Sequence, residues 1–252
     1  MAIQKTEAIV LKRHKFRETS LIALFYTRDF GKIKGIIKGI RNFKTKFSSS
    51  LEPFSNNEIV FYEKEKRDLH IISQCDLKDI FSPIRQDLKR IAYANYSLEL
   101  IDAITPLQDR NEDIFELMLN FLKSLSKQDN TEEIVHIFEI KLLGLSGFKP
   151  RLDSCVCCEN QIHSLARFSL NLGGLLCERC FLQDRHAKSI LKGSIASILH
   201  IERSSLDKIG QLKIVPKVNK ELDEILRNFL EFNLERRFKS LEFLAKIEPH
   251  NL

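Results

Sequence analysis

The spacing of apolar residues changes near Pro83, and the change divides the chain into a strand-forming part and a helix-forming part. Before it, residues 7–11, 20–26, 32–39, 57–63 and 69–73 are short apolar runs, partly β-branched and aromatic. They read as five strands. Arg28-Asp29-Phe30-Gly31 carries a turn signal between the second and third. The third strand starts as an alternation of Lys and Ile, which sends lysines to one face and isoleucines to the other. Five strands over about 75 residues predict a small closed barrel of the OB type, with an SH3-like barrel as the alternative. Residues 41–55 form a long loop rich in Lys, Ser and Phe, a length that in a compact domain is functional or disordered.

Beyond Pro83 the apolar residues recur at helical spacing. Leu88, Ile91, Asn95, Leu98 and Ile101 form one stripe, with Pro106 as a stop. Further stripes run from Ile114 to Leu125, from Ile134 to Leu145 and from Leu222 to Leu230; Phe238, Leu241 and Leu244 extend the last. Such Phe-rich stripes are core-forming faces. The fold class is therefore α+β: an OB-fold barrel over residues 1–80, followed by an α-helical domain over 81–252. No repeat or low-complexity linker separates the two, so they are expected to pack together.

The net charge of +6 conceals an asymmetry. Residues 1–50 hold 12 Lys and Arg against 3 Asp and Glu, whereas the other 202 residues hold 28 against 31. One basic cluster is Lys12, Arg13, Lys15 and Arg17, interrupted by His14 and Phe16. The second is Lys32, Lys34, Lys38, Arg41, Lys44 and Lys46, interleaved with Phe43 and Phe47 and without an intervening acid. A solvated face normally mixes signs. An unbroken basic run with aromatic residues suits phosphate backbones and unpaired bases instead. Lys12, Arg13, Lys15, Arg17, Lys32, Lys34, Lys38, Arg41, Lys44 and Lys46 are the candidate phosphate contacts, and Phe43 the candidate stacking ring.

Five of six cysteines lie between 155 and 180. Cys155 and Cys158 make one C-x2-C pair; Cys177 and Cys180 make a second after 18 residues. Two such pairs at this spacing predict a tetrahedral zinc site with Cys155, Cys158, Cys177 and Cys180 as ligands. A shell of four thiolates leaves no open position for water, so the role is structural. Iron–sulfur chemistry uses the same ligands and stays open, as does substitution by Cys157. A redox dithiol is disfavoured because there are two pairs and no thioredoxin-like context. His163 and His186 stand off the pattern, and the lone Cys75 reads as a small buried residue.

Several chemistries lack their signatures. No P-loop, H-E-x-x-H or G-x-S-x-G occurs, and Asp76, Asp79 and Asp87 are scattered. A binding protein is expected, not an enzyme. A nucleic-acid-processing enzyme and an RNA-binding protein, each with a structural zinc module, are the alternatives. The N-terminus has no signal-peptide pattern and no apolar run approaches about 20 residues, so a cytoplasmic location is expected.

Four stretches resemble the bacterial RecO family. They are Thr6–Leu11 with Phe16–Ser20, Lys38–Arg41 through Leu51–Phe54, Phe138–Leu143 with Gly147–Leu152 leading into Cys155, and Glu235–Ser240. Their order and spacing span nearly the full chain. The resemblance implies an OB-fold, a helical domain and a zinc-binding insertion, in a recombination mediator that hydrolyses no nucleotide. It implies binding of single- and double-stranded DNA, annealing of complementary strands, and work with RecR to load RecA. The DNA so loaded is coated by single-stranded DNA-binding protein, whose C-terminal tail is a further implied partner, at the nucleoid. Cys157 departs from the family pattern and leaves the ligand choice less fixed. The family includes members without the cysteines, and the basic surface lies at residues 12–46, so the knuckle reads as a brace within the helical domain.

Overall fold

Five strands close on themselves in the order β1-β2-β3-β5-β4 in the computed structural model. The structure describes residues 2–16, 18–38, 50–63, 68–162, 164–204 and 214–247. The strands are β1 (Ile3–Phe16), β2 (Ser20–Thr27), β3 (Gly31–Lys38), β4 (Asn56–Tyr62) and β5 (Leu69–Asp79). All pairings are antiparallel except β3 with β5, where Lys34, Gly35 and Ile36 run parallel to Leu69, His70 and Ile71. This topology is the five-stranded OB type. Ala8, Val10, Ala23, Phe25, Ile33, Ile37, Ile59, Phe61 and Ile72 fill the interior. Leu51 joins them from the described end of the long loop, and Phe54 N–H donates to Val10 O at 2.8 Å.

Two local devices shape the barrel. At the β2–β3 turn, Thr27 Oγ1 accepts from Phe30 N at 3.0 Å and donates to Gly31 O at 2.8 Å. Gly31 has φ +61, and a Cβ there would lie 2.0 Å from Asp109 O, so only glycine fits. In β1 the register slips between Val10, opposite Phe25, and Lys12, opposite Leu24. Leu11 is the extra residue of a bulge, and it reverses which side chains face outward beyond it.

The helices among the described residues are α1 (Ser82–Arg85), α2 (Leu88–Ile104), α3 (Glu112–Lys127), α4 (Thr131–Leu145), α5 (Lys192–Arg203), α6 (Pro216–Leu234) and α7 (Lys239–Ile247). Side-chain caps start two of them: Asp87 accepts from Arg90 N at 2.9 Å and Asn111 from Ile114 N at 3.1 Å. The stripe expected on α2 is only part of its buried surface. Leu88 is 58% exposed, while Ala92, Ala94, Tyr96 and Ser97 are buried. The reason is that four elements, β1, α1, α3 and α7, pack against α2.

The expected division at residue 80 coincides with the change from strands to helices. The compact units part elsewhere. One joins residues 1–129 to 238–252, and the other spans 130–237. In the first, Arg28 of the barrel donates to Glu7 and also to Glu112 and Glu116 of α3. In the second, α4 is buried nearly all round by α5 and α6, including His136 and Glu139.

Candidate nucleic-acid interface and metal centre

The four cysteines meet because a short hairpin returns the chain between them. Strands β6 (Ala166–Ser169) and β7 (Gly174–Cys177) pair antiparallel, and β8 (Lys188–Ser189) adds to β6. Cys177 ends β7 and Cys180 lies in the 3-10 turn Glu178–Gln183. The first C-x2-C turn is bonded to the same strand. Val156 N donates to Leu175 O at 2.8 Å, and Leu175 N to Arg151 O at 3.0 Å. Gly174 permits this approach, since a Cβ there would lie 2.3 Å from Arg151 O.

The Sγ atoms of Cys155, Cys158, Cys177 and Cys180 all lie within 4.8 Å of one another, with Cys158 and Cys177 at 3.6 Å. A tetrahedron of metal–sulfur bonds about 2.3 Å long has edges of about 3.8 Å, so the donor set fits a metal ion. Burial opposes ionisation of Cys155, but the backbone N–H groups of Cys158, Cys177 and Cys157 outweigh it and bring the thiol to about 6. Burial and the neighbouring sulfurs push Cys180 up to about 12. A bound cation would reconcile these opposing demands by compensating several thiolates at once. The Cys157 side chain is exposed and outside the set of four. Other contacts also hold this segment: Phe168, Leu175 and Ala166 are buried, and Ser169 donates to Asp184 at 2.5 Å. Its buried core is Cys155, Leu176 and Ala187, edged by partly buried residues such as Phe181, over which Arg167 stacks at 4.6 Å.

The basic candidates separate into three groups. Arg17, Arg41, Phe43, Lys44 and Lys46 lie outside the described residues, as does His163. Lys15, Lys34 and Lys38 are exposed and make no ion pair among the described residues. The others are engaged. Arg13 pairs with Glu52, and Lys12 with Asp102 at 2.7 Å. Lys32 departs from its expected place on an open lysine face: it is 7% exposed and its Nζ donates to Asp102 O at 2.6 Å and Oδ1 at 3.1 Å. Alternation put Lys32 on the outer face, but α2 covers that part of the face. Burial opposes ionisation of Asp102, yet Lys12 and Lys32 hold its carboxyl below the usual range.

Comparison with known proteins adds a second line. Residues 1–81 match the family model described as Recombination protein O N terminal, and residues 85–242 match Recombination protein O C terminal. The chain is 34% identical over 245 residues to the DNA repair protein RecO of Alkaliphilus metalliredigens (strain QYMF), covering 96% of this chain and 99% of that one. It is 32% identical to the protein of the same name from Desulforamulus reducens, covering 100% and 98%. Against that of Syntrophus aciditrophicus it is 31% identical, covering 100% and 98%.

The chain belongs to the RecO family.

The RecO family is one of DNA repair proteins, and its two models meet between β5 and α2. The N-terminal match holds the basic barrel and the C-terminal match holds the four cysteines. No helix among the described residues is long and apolar enough to cross a membrane. Sequence reading passed over Phe16 and His14 as interruptions of a basic run. Continuing strand alternation past Leu11 would have joined them to Lys12 on one face, the signal that the register makes visible.

Proposed function

We propose that this RecO-family chain is a recombination mediator that binds single- and double-stranded DNA and anneals complementary strands. With RecR it helps load RecA onto DNA coated with single-stranded DNA-binding protein, whose C-terminal tail it also binds. It acts by binding, without catalysis, in the cytoplasm at the nucleoid. The observation that carries this reading is a closed OB-type barrel with exposed Lys15, Lys34 and Lys38, in a chain matched end to end by a DNA repair family. Annealing requires holding backbones without reading bases, which suits lysines, as point charges, better than a bidentate base code. Arg13, Arg17, Arg41, Lys44 and Lys46 keep their place in the proposal as phosphate contacts, and Phe43 as a stacking ring. The partner RecR and the protein tail rest on family membership.

The metal is zinc in this reading, held by Cys155, Cys158, Cys177 and Cys180 with a structural role. Its support is the all-thiolate donor set with no open position. When bound, the ion supplies charge compensation to the thiolates; the chain supplies the N–H groups aimed at Cys155.

Strand annealing on DNA precoated with single-stranded DNA-binding protein, without ATP, tests the proposal. Annealing that RecR modulates is the expected result. No annealing on either bare or coated DNA would refute it. Replacing Lys34 and Lys38 by Ala should also lower the salt slope of single-strand binding by about 1.4, about 0.7 per phosphate contact. An unchanged slope would remove these lysines from the interface.

A further inference from the structure

Helices α4 and α6 meet over a polar seam. On α4, Glu132, His136 and Glu139 follow at four- and three-residue steps, so they share one helix face. On α6, Asn219 and Asp223 do the same. Glu132 accepts from Asn219 Nδ2 at 2.6 Å. His136 is wholly buried and Glu139 nearly so, while Asp223 is half-buried. The imidazole lies between two carboxylates, with Nδ1 3.4 Å from Glu139 Oε2 and Nε2 3.7 Å from Asp223 Oδ1. Nε2 is buried and has no hydrogen-bond partner among the described residues.

A neutral imidazole carries one N–H and one lone pair. At Nδ1 that lone pair would face Glu139; at Nε2 it would face Asp223. Either choice sets a lone pair against a carboxylate at low dielectric, where such contacts are costly. The doubly protonated ring presents a donor to each. Its surroundings favour that form. Besides Glu139 and Asp223, α4 brings Glu132, and α6 brings Arg227 beside Asp223. Helix α5 also packs on α4, but its one acid, Glu202, is paired with Lys149, and its cations Lys192, His200 and Arg203 are exposed. Three carboxylates thus surround one imidazole. Burial opposes the charge on His136, but Glu139, Asp223 and Glu132 outweigh it and raise the ring above its ordinary 6.5. Burial lifts the Asp223 carboxyl as well, but from 3.8, and the ring remains the stronger base.

The same helix α6 seats the cysteine segment. Its Phe229 meets Phe168 of β6 edge-on at a centroid distance of 5.6 Å, and its Glu224 pairs with Lys188 of β8. Asp223 adjoins Glu224 and lies less than about two turns from Phe229. The hold of α4 on α6 therefore bears on the support of the metal-binding hairpin.

We propose that His136 is a proton-operated latch between α4 and α6: the charged ring ties Glu139 of one helix to Asp223 of the other, and loss of its proton loosens the helix that seats the cysteine hairpin. The inference is independent of the DNA-binding reading above. A basic group raised on folding adds stability in full below its unfolded value and loses it as pH climbs through the folded one. The latch is therefore fully closed below about pH 6.5 and opens above it.

The test uses the full, metal-loaded chain with isotope-labelled histidine. Nuclear magnetic resonance reads the protonation of both ring nitrogens of His136 from pH 6 to pH 9, with the signal assigned through bonds to its own backbone and the metal content checked at each step. At pH 6 both nitrogens should carry protons, and the midpoint should lie above the ordinary 6.5. Glu139→Gln and Asp223→Asn should each lower that midpoint. Hydrogen exchange, corrected for the intrinsic effect of pH, reads the helices. The excess protection of α4 and α6 in wild type over His136→Gln should shrink about tenfold for each unit by which the midpoint exceeds 6.5, with β1–β5 unmoved. A ring with one protonated nitrogen at pH 6 overturns the inference, as does a midpoint at or below 6.5, or wild-type α6 protection that ignores pH. The titration of the wild-type ring needs no variant, so it decides the matter even if His136→Gln fails to fold.

Discussion

The barrel and the cysteine segment solve the same problem with opposite means. The barrel buries a dozen residues contributed by all five strands and the adjoining loop, and each strand pairs with two neighbours. The cysteine segment buries three residues in its own cluster, and four thiols stand where apolar side chains would otherwise be. Apolar burial of about 25 cal/mol per Å² can order the first. The second has a smaller apolar cluster, so a metal held by the four thiolates would supply a large part of its folding free energy. The contrast teaches that one chain can rest two local folds on different kinds of support.

The largest effect should come from taking the metal away. Chelation, or Cys155→Ser or Cys180→Ser, removes an interaction worth about 10–16 kcal/mol in zinc-finger peptides. Hydrogen exchange should show residues 151–190 losing protection while β1–β5 keep theirs, and DNA binding should fall only indirectly. Cys157→Ser should leave both metal content and protection at wild-type values. Uniform loss of protection across the barrel would break the comparison.

Next comes the converse experiment. Phe61 is 1% exposed and meets Phe30 edge-on at a centroid distance of 5.2 Å. Phe61→Ala should cost about 3–5 kcal/mol in denaturant unfolding of the barrel, with metal content retained. Loss of metal in this variant would show that the two regions fold as one.

The smallest effect concerns acid. Glu7 accepts from Asn56 at 2.8 Å and pairs with Arg28 at 2.9 Å and Lys78 at 3.2 Å. Burial opposes its ionisation, but these partners hold its carboxyl below the ordinary 4.5. A folded-state carboxyl that is the stronger acid adds stability in full above the unfolded value and loses it as pH falls through the folded one. Unfolding free energy measured from pH 7 to pH 3 should therefore drop below about pH 4.5, and Glu7→Gln should flatten that drop. An identical acid limb in the variant would show that Glu7 plays no part.

Much of this was legible in the chain itself, and for physical reasons. Apolar periodicity is local, so strands before Pro83 and helices after it could be read directly, and so could the OB-type barrel. The C-x2-C pairs are local too, since each turn sets two sulfurs side by side whatever surrounds it. What escaped was long-range. Lys32 looked like its neighbours Lys34 and Lys38, yet Asp102, 70 residues away, claims it. Leu88 fits a helical stripe, but no neighbouring element covers it and it is 58% exposed. Alternation alone puts Phe16 on one face with Lys12 and His14, but its row with Ser20 and Lys38 comes from the hairpin register.

That register depends on Leu11. Because the bulge adds one residue, the outward set of β1 beyond it is even-numbered: Lys12, His14 and Phe16. Without it the odd set, Leu11, Arg13 and Lys15, would take the same side. The outer face is thus written in parity rather than in composition. Deleting a single residue there would leave charge, hydropathy and strand length almost untouched and yet exchange one surface for another. In this strand, losing one residue is a larger change than replacing one.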